Sequence, residues 1–253
     1  GCHGRGASGG EGVIYDDAAD LYDLQYAAYR DDVPHYLRLA DDLGGPILEL
    51  GAGTGRLTEA LARAGHEVVA VDVAPAMLAR VRARVTAPNV RFVEADMRAL
   101  DLGQQFALVI APFNTLMHAY TLSDQDSTLA GVHRHLAQGG TFAFDVYQPH
   151  LGALGVMRRE ETWGELAEGT ELFLIQHHDA EAQLVESRYY FDEVLTDGLV
   201  RRRTARLLQR YYHRYELERA LAQAGFKQVR LFGGFDKSRL LASSLAIVGS
   251  ASR

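Results

Sequence analysis

The sequence predicts an α/β protein: a doubly wound, mostly parallel seven-stranded sheet, preceded by helices and interrupted by an inserted antiparallel segment. Three observations predict it. Between residues 46 and 146, short apolar runs of strand length alternate with helical segments, the rhythm of a parallel sheet covered on both faces. A glycine-rich turn, Gly51-Ala52-Gly53-Thr54-Gly55, joins the first of those runs to a helix. Beyond Pro149 the period shifts towards two, over about residues 160–212, before a last helix and two closing strands.

Taken in order, residues 16–43 carry Ala19, Tyr22, Tyr26 and Tyr29 at three- and four-residue spacing, which predicts helix. Pro34 suits the first turn of a second helix, where its missing N–H costs little. Residues 46–50 read as a buried strand, and residues 56–64 as a helix stopped by Gly65. The next unit is a strand at 67–71 and a helix at 75–85, with Leu78, Val81 and Val85 on one face. Strands follow at 90–94 and 106–111, then a helix around 125–136, the pair Gly139-Gly140 and a fifth strand at 141–146. Past Pro149, stretches such as Glu171-Leu172-Phe173-Leu174-Ile175 predict three or four antiparallel strands, with the turn Asp197-Gly198 between two longer runs. A helix at 215–224 ends at Gly225, and strands at 228–232 and 241–248 close the chain.

Composition narrows the function. With 47% apolar and 23% charged residues, the chain has the make-up of a soluble globular domain, and no apolar run reaches membrane-spanning length. Residues 1–12 are rich in glycine without an apolar core, so they read as a flexible tail and not as a signal peptide. The single cysteine, Cys2, lies in that tail, which excludes a disulfide framework and a cysteine metal site and fits a cytoplasmic location. A net charge of −7 argues against a nucleic-acid partner, which requires a basic footprint. The one dense basic stretch, Arg201-Arg202-Arg203 with Arg206 and Arg210, reads as a solvated strand face.

The chemistry sits at the glycine turn. Glycines serve where backbone turns sharply and a ligand lies directly against it. A dinucleotide fingerprint is G-x-G-x-x-G; here the third glycine comes one position early and Arg56 follows it. Glu49 lies two residues before the first glycine, Asp72 ends the next strand, and Asp96 follows the strand after that. Acids after successive strands suit an adenosine with a free ribose diol and an exocyclic amine.

Glu49-x-Gly51-x-Gly53-x-Gly55, Val71-Asp72 with Pro75-Ala76-Met77-Leu78, and Glu94-Ala95-Asp96-Met97-Arg98 together resemble the class I S-adenosylmethionine-dependent methyltransferases. Tyr15-Asp16, Tyr22-Asp23, Phe144-Asp145-Val146, Tyr215-Glu216-Leu217 and Ala224-Gly225-Phe226 resemble a bacterial small-molecule branch of that family. The resemblance implies one methyltransferase domain over residues 13–253, with residues 46–146 as the cofactor-binding core and about 155–212 as a substrate lid. It implies S-adenosylmethionine as cofactor and S-adenosylhomocysteine as product. Gly51, Ala52, Gly53 and Gly55 would lie against the methionine part, with Glu49 just before them. Asp72, beside Val73, would accept from the ribose hydroxyls. Asp96 would accept from the adenine amine, with Met97 on the ring and Met77 and Ala111 also lining the site. Arg56, with Tyr15 or Tyr22, is the candidate for the methionine carboxylate. Many relatives carry serine before the proline of the second sheet helix; Ala74 stands here, a missing cap worth about 1 kcal/mol.

In this fold the loop after strand four, Ala111-Pro112-Phe113-Asn114-Thr115-Leu116-Met117-His118, faces the methyl group. His118 is the candidate base, its titration range being useful near neutrality. Asn114 is the second catalytic candidate, and Asp145 a further one for orienting the acceptor. Tyr189, Tyr190 and Phe191 are candidates for the acceptor pocket. The loop lacks the polar-Pro-Pro-aromatic turn of adenine, cytosine and glutamine methyltransferases, and no metal-binding carboxylates follow the strand, so no metal is expected. His177-His178 and His133-x-His135 are expected at the surface. The expected function is methyl transfer to nitrogen or oxygen of a small-molecule acceptor by a monomer or homodimer, without nucleic-acid or membrane partners. A cofactor-binding regulatory protein without activity is the alternative; a nicotinamide-dependent oxidoreductase fits neither the glycine spacing nor the absence of a catalytic Tyr/Lys pair.

Overall fold

The computed structural model describes residue 26 and residues 29–148, 159–167 and 169–253; over residues 159–167 it describes the backbone. The elements run α1 Val33–Leu43, β1 Ile47–Leu50, α2 Arg56–Arg63, β2 Val68–Asp72, α3 Pro75–Arg84, β3 Val90–Glu94, β4 Phe106–Ala111, α4 Leu122–His135 and β5 Leu136–Tyr147. Then come β6 Arg159–Ala167, β7 Thr170–Asp179, β8 Leu184–Val194, β9 Val200–Arg210, α5 Arg214–Gln223, β10 Lys227–Phe232 and β11 Ala246–Ser252. Single 3₁₀ turns at Met97–Ala99 and Thr115–His118 follow β3 and β4.

The main sheet has seven strands in the order β10-β11-β5-β4-β1-β2-β3, with β1 to β5 parallel and β11 antiparallel to both neighbours. Period-two alternation sends its side chains to two cores. Leu48, Leu50, Val109, Phe142, Phe144 and Val146 pack against Leu129 and Val132 of α4 and Leu217 and Leu221 of α5. Ile47, Val68, Ala70, Leu108, Ile110 and Ala143 pack on the other face against Tyr36 and Ala40 of α1 and Leu57 and Leu61 of α2. Both faces are therefore apolar, as a doubly wound sheet requires. The order reverses beside β1, which opens a crevice at the carboxyl ends of β1 and β4.

Strands β6 to β9 form a second, four-stranded antiparallel sheet in the order β6-β7-β8-β9, with Leu172, Leu174, Tyr189 and Phe191 buried on one face. Tyr190 falls on the opposite face, since neighbours on a strand alternate. The arginine run of β9 stands in register with acids of β8: Arg201 pairs with Glu193 at 2.5 Å, Arg202 with Asp192 at 2.6 Å and Arg206 with Glu186 at 2.8 Å.

Several element bounds differ from those read in the sequence. Helix α4 begins at Leu122, because Thr121 accepts from the Asp124 N–H while the Asp124 carboxylate accepts from the Thr121 N–H. Strand β5 begins at Leu136 and not at residue 141, and residues 241–245 precede the last strand, which starts at Ala246. Among the histidines expected at the surface, His135 and His178 are buried. Residues one apart on a strand, or two apart on a helix, point in different directions, so one of each pair turns inward. His135 is held by Gly131 O at 2.7 Å and by the Leu102 N–H at 2.9 Å.

Candidate functional site

The crevice is bounded first by the glycine turn. Gly51, Gly53 and Gly55 all have positive φ (65°, 56° and 87°), the left-handed region open to glycine. A Cβ on Gly51 would lie 2.5 Å from Thr115 Oγ1, and one on Gly55 would fall on the Val81 side chain of α3. Glycine at the first position thus admits the loop after β4, and at the third admits a neighbouring helix. Ala52 is buried and donates its N–H to Val71 O at 3.0 Å.

Asp72 organises the turn. Its Oδ2 accepts from the Gly53 N–H at 2.8 Å and its Oδ1 from the Ala74 N–H at 2.9 Å. Both carboxylate oxygens thus accept from backbone of the turn and of the start of α3. Val73 beside it is 63% exposed. The Ala95 N–H donates to Asp72 O at 3.1 Å, so the end of β3 and Asp96 adjoin the same edge. Asp96 caps the turn at Met97–Ala99 through the Arg98 N–H, and its carboxylate is clasped by Arg98 Nε and Nη2 at 2.9 and 2.6 Å. That guanidinium holds the Asp96 carboxyl below its ordinary range. Met97 is half-buried, whereas Met77 and Ala111 are buried.

Glu49 points away from the edge. It is buried against α2, where Thr58 Oγ1 donates to its Oε2 at 2.6 Å, and burial pushes its carboxyl up to about 7. Arg56 forms a two-pronged ion pair with fully buried Asp32, Nη1 to Oδ1 at 2.5 Å and Nη2 to Oδ2 at 2.6 Å. Its guanidinium lies 5.1 Å from the Tyr29 ring centre and 5.5 Å from that of Phe113. Tyr26 and Tyr29 both pack on Phe113, at 4.8 and 5.1 Å. Tyr15 and Tyr22 lie outside the described residues.

The loop after β4 is stitched to β5. Phe113 and Asn114 both have positive φ, 51° and 67°, tolerable for asparagine and uncommon for phenylalanine. Asp145 secures them: its Oδ1 accepts from the Phe113 N–H at 2.9 Å and from Tyr36 Oη at 2.6 Å, and its main-chain oxygen accepts from the Asn114 N–H. Burial pushes the Asp145 carboxyl up to about 6. Asn114 Oδ1 accepts from the Tyr147 N–H at 2.5 Å, so this side chain holds the loop on the sheet. His118 ends the turn with Nδ1 3.2 Å from Tyr120 Oη, and burial lowers its imidazole to about 4, below the near-neutral range expected from the sequence.

The fold therefore brings Asp72, Asp96 and the glycine turn to one edge, with His118 on the neighbouring loop, while Glu49 and Asn114 serve packing and loop geometry. Asp32, Tyr36, Thr58 and Tyr120 belong to this neighbourhood without any signal in the sequence; Asp32 stands 24 residues before Arg56 and Tyr36 109 residues before Asp145. Among the described residues no group of three or more His, Cys, Asp or Glu is arranged to hold a metal, and no helix is long and apolar enough to cross a membrane.

Comparison with known proteins agrees with this geometry. A methyltransferase domain model matches residues 47–140. The CcbJ methyltransferase of Streptomyces caelestis superposes with a TM-score of 0.83 at 30% identity, covering 96% of this chain and 98% of that one. An S-adenosylmethionine-dependent methyltransferase of Clostridium acetobutylicum shares the fold, with a TM-score of 0.77 at 18% identity over 94% and 98% of the two chains. The cypemycin N-terminal methyltransferase of a Streptomyces species is 36% identical over 106 residues, 42% of this chain and 43% of that protein. The chain spans about half the length of the curated relatives it matches, from 43% to 56% among the first three.

Proposed function

The chain belongs to the class I S-adenosylmethionine-dependent methyltransferases, and from that membership we propose that it methylates a nitrogen or oxygen atom of a small molecule, an amine nitrogen ahead of a hydroxyl. It uses S-adenosylmethionine and releases S-adenosylhomocysteine. The residues fit that donor: the positive-φ glycines bring bare backbone to the edge of the crevice, and Asp72 holds the turn from below. When bound, the donor supplies a methyl group already activated on sulfur, so the protein's task is placement.

In this reading Asp72 accepts from the ribose hydroxyls, Asp96 and Met97 meet the adenine, and the backbone at residues 51–55 lies along the methionine part. Arg56, already bound to Asp32, reaches the methionine carboxylate only by sharing its guanidinium. Strands β6–β9 cover the acceptor, with Tyr189 and Phe191 on their buried face. Support for the cover comes from β9, whose Leu208 O accepts from Tyr120 Oη at 3.1 Å just past the β4 loop.

One observation carries the preference for an amine: among the described residues beside the β4 loop, two buried carboxyls, Asp32 and Asp145, neighbour one guanidinium, Arg56. Surplus buried carboxyl favours a positive ligand, and a cation entering there draws the raised Asp145 carboxyl back to its ionised form. Tyr29 and Phe113 already present ring faces to one cation, the Arg56 guanidinium, so the aromatic lining of this region suits positive charge. His118, held neutral by burial, accepts the proton that the acceptor releases. A small-molecule acceptor is further supported by the β9 arginines, whose charge is matched by acids on β8.

Purified protein with methyl-labelled S-adenosylmethionine, offered amino sugars, amino acids, alcohols and phenols, should yield a labelled amine and an equal amount of S-adenosylhomocysteine. Label in phenols or alcohols alone replaces the amine by oxygen. Label only in nucleic acid or protein overturns the small-molecule reading.

A further inference from the structure

We propose that Tyr120 is a positioning residue that sets the tautomer of His118, placing the imidazole proton on Nδ1 and the basic lone pair on Nε2. The inference rests on His118 acting as the base. It follows from counting protons along a short chain of hydrogen bonds. The Tyr120 hydroxyl has one hydrogen to donate. Leu208 O, 3.1 Å away on β9, is a carbonyl and can only accept, so the phenolic hydrogen goes there. His118 Nδ1 lies 3.2 Å from the same phenolic oxygen, and the only hydrogen that can complete this bond is its own. Nδ1 is therefore the donor, and in a neutral ring the other nitrogen carries the lone pair.

The phenol is well held in this role. Tyr120 is anchored at its main-chain oxygen by Arg210 Nη1 at 2.9 Å, from the last residue of β9. Tyr212 Oη, just beyond that strand, donates to Leu116 O at 3.1 Å, in the same turn as His118. Burial pushes the Tyr120 phenol up to about 12, so it keeps its hydrogen across the physiological range. The second sheet thus reaches the candidate base through Tyr120: Leu208 O takes the phenolic hydrogen and leaves the oxygen to receive that of Nδ1. Arg98, whose charge acts on the phenol, and Arg210, bonded to the Tyr120 main-chain oxygen, are charged groups beside it.

The test reads the tautomer directly. In protein labelled with ¹⁵N-histidine, long-range ¹⁵N–¹H correlation at pH 7 should show His118 with Nδ1 protonated and Nε2 bare. In Tyr120→Phe the ratio of Nδ1–H to Nε2–H forms should fall about fivefold, the worth of one net hydrogen bond. Tyr212→Phe, which removes a neighbouring hydroxyl not bonded to the ring, should leave the ratio unchanged. A wild-type spectrum with the proton on Nε2 overturns the proposal without any variant, and so does an unaltered ratio in Tyr120→Phe. His118→Gln assayed with the amine acceptor found above separates the two readings: undiminished methyl transfer sinks His118 as base whatever the tautomer, whereas lost transfer with the wrong tautomer sinks Tyr120 alone.

Discussion

Arg56 is drawn by two anionic claims, an internal carboxylate and a prospective ligand. Its pairing with Asp32 is nearly dry, with the carboxylate wholly buried and the guanidinium side chain 12% exposed. Removing one partner of such a pair strands the other charge. Arg56→Met should therefore cost about 3–5 kcal/mol of folding free energy, measured by urea denaturation. A loss below about 1 kcal/mol, the scale of an exposed pair, would show that water reaches Asp32. Asp72 carries a binding prediction. In the proposed role Asp72 accepts from both ribose hydroxyls, hydrogen bonds to a charged group worth about 1.5–3 kcal/mol each, so Asp72→Ala should weaken S-adenosylhomocysteine by about a hundredfold or more by calorimetry. Unchanged affinity would take the ribose role from it. Because Asp72 also holds the Gly53 and Ala74 amides, the thermal midpoint of the variant should be recorded alongside.

Helix ends decide how firmly the elements that frame the crevice are formed. Helix α4 has a reciprocal cap from Thr121 and Asp124, while α3 begins at Ala74 with extended backbone and no side-chain cap. The Ala74 conformation is that of a normal cap position, so a hydroxyl placed there reaches the first-turn amides. Ala74→Ser should stabilise the protein by about 1 kcal/mol, visible as a rise of a few degrees in Tm. A fall would mean that the serine competes for the Asp72 carboxylate that now holds the Ala74 N–H. Strand β9 shows the converse case, in which local chemistry is strong and its energetic weight small. Its exposed arginine–carboxylate pairs contribute about 0–1 kcal/mol each, so their effect is to balance charge on that face.

Over the whole molecule, buried ionisable groups write a pH dependence into the fold. Glu49 has a folded pKa of about 7 against an ordinary 4.5. A carboxyl raised in this way binds more protons folded than unfolded, so its contribution is full below about 4.5 and is lost as pH climbs to about 7. Asp145 behaves likewise between about 4 and about 6. His35 and His118, both lowered to about 4, act in the opposite sense, adding stability as pH rises from there to 6.5. Glu49→Gln isolates one arm, since the amide oxygen still accepts from Thr58 and the histidines are common to both proteins. The stability of this variant relative to wild type should rise by about 3 kcal/mol between pH 4.5 and pH 7.5, then stay level. A difference independent of pH would mean that Glu49 keeps its ordinary pKa in the folded protein.

The doubly wound core was legible in the chain because its signals are local. Strand length, glycine stops and apolar periodicity each act within a dozen residues, and the strands Val90–Glu94 and Phe106–Ala111 fall where those signals put them. The family was legible for the same reason, since residues 46–97 carry its glycines and acids in close succession. Partnerships across the fold were not. Nothing near Arg56 in the chain announces Asp32, nor does anything near Asp145 announce Tyr36, because those contacts exist only once α1 is laid across the sheet edge. The same holds for Glu49, whose partner Thr58 is supplied by α2, and for His118, whose proton is directed by Tyr120 together with Leu208, some 90 residues away on β9. Backbone periodicity is a property of neighbours in sequence; burial, charge and tautomer are properties of neighbours in space, and tertiary packing alone brings those together.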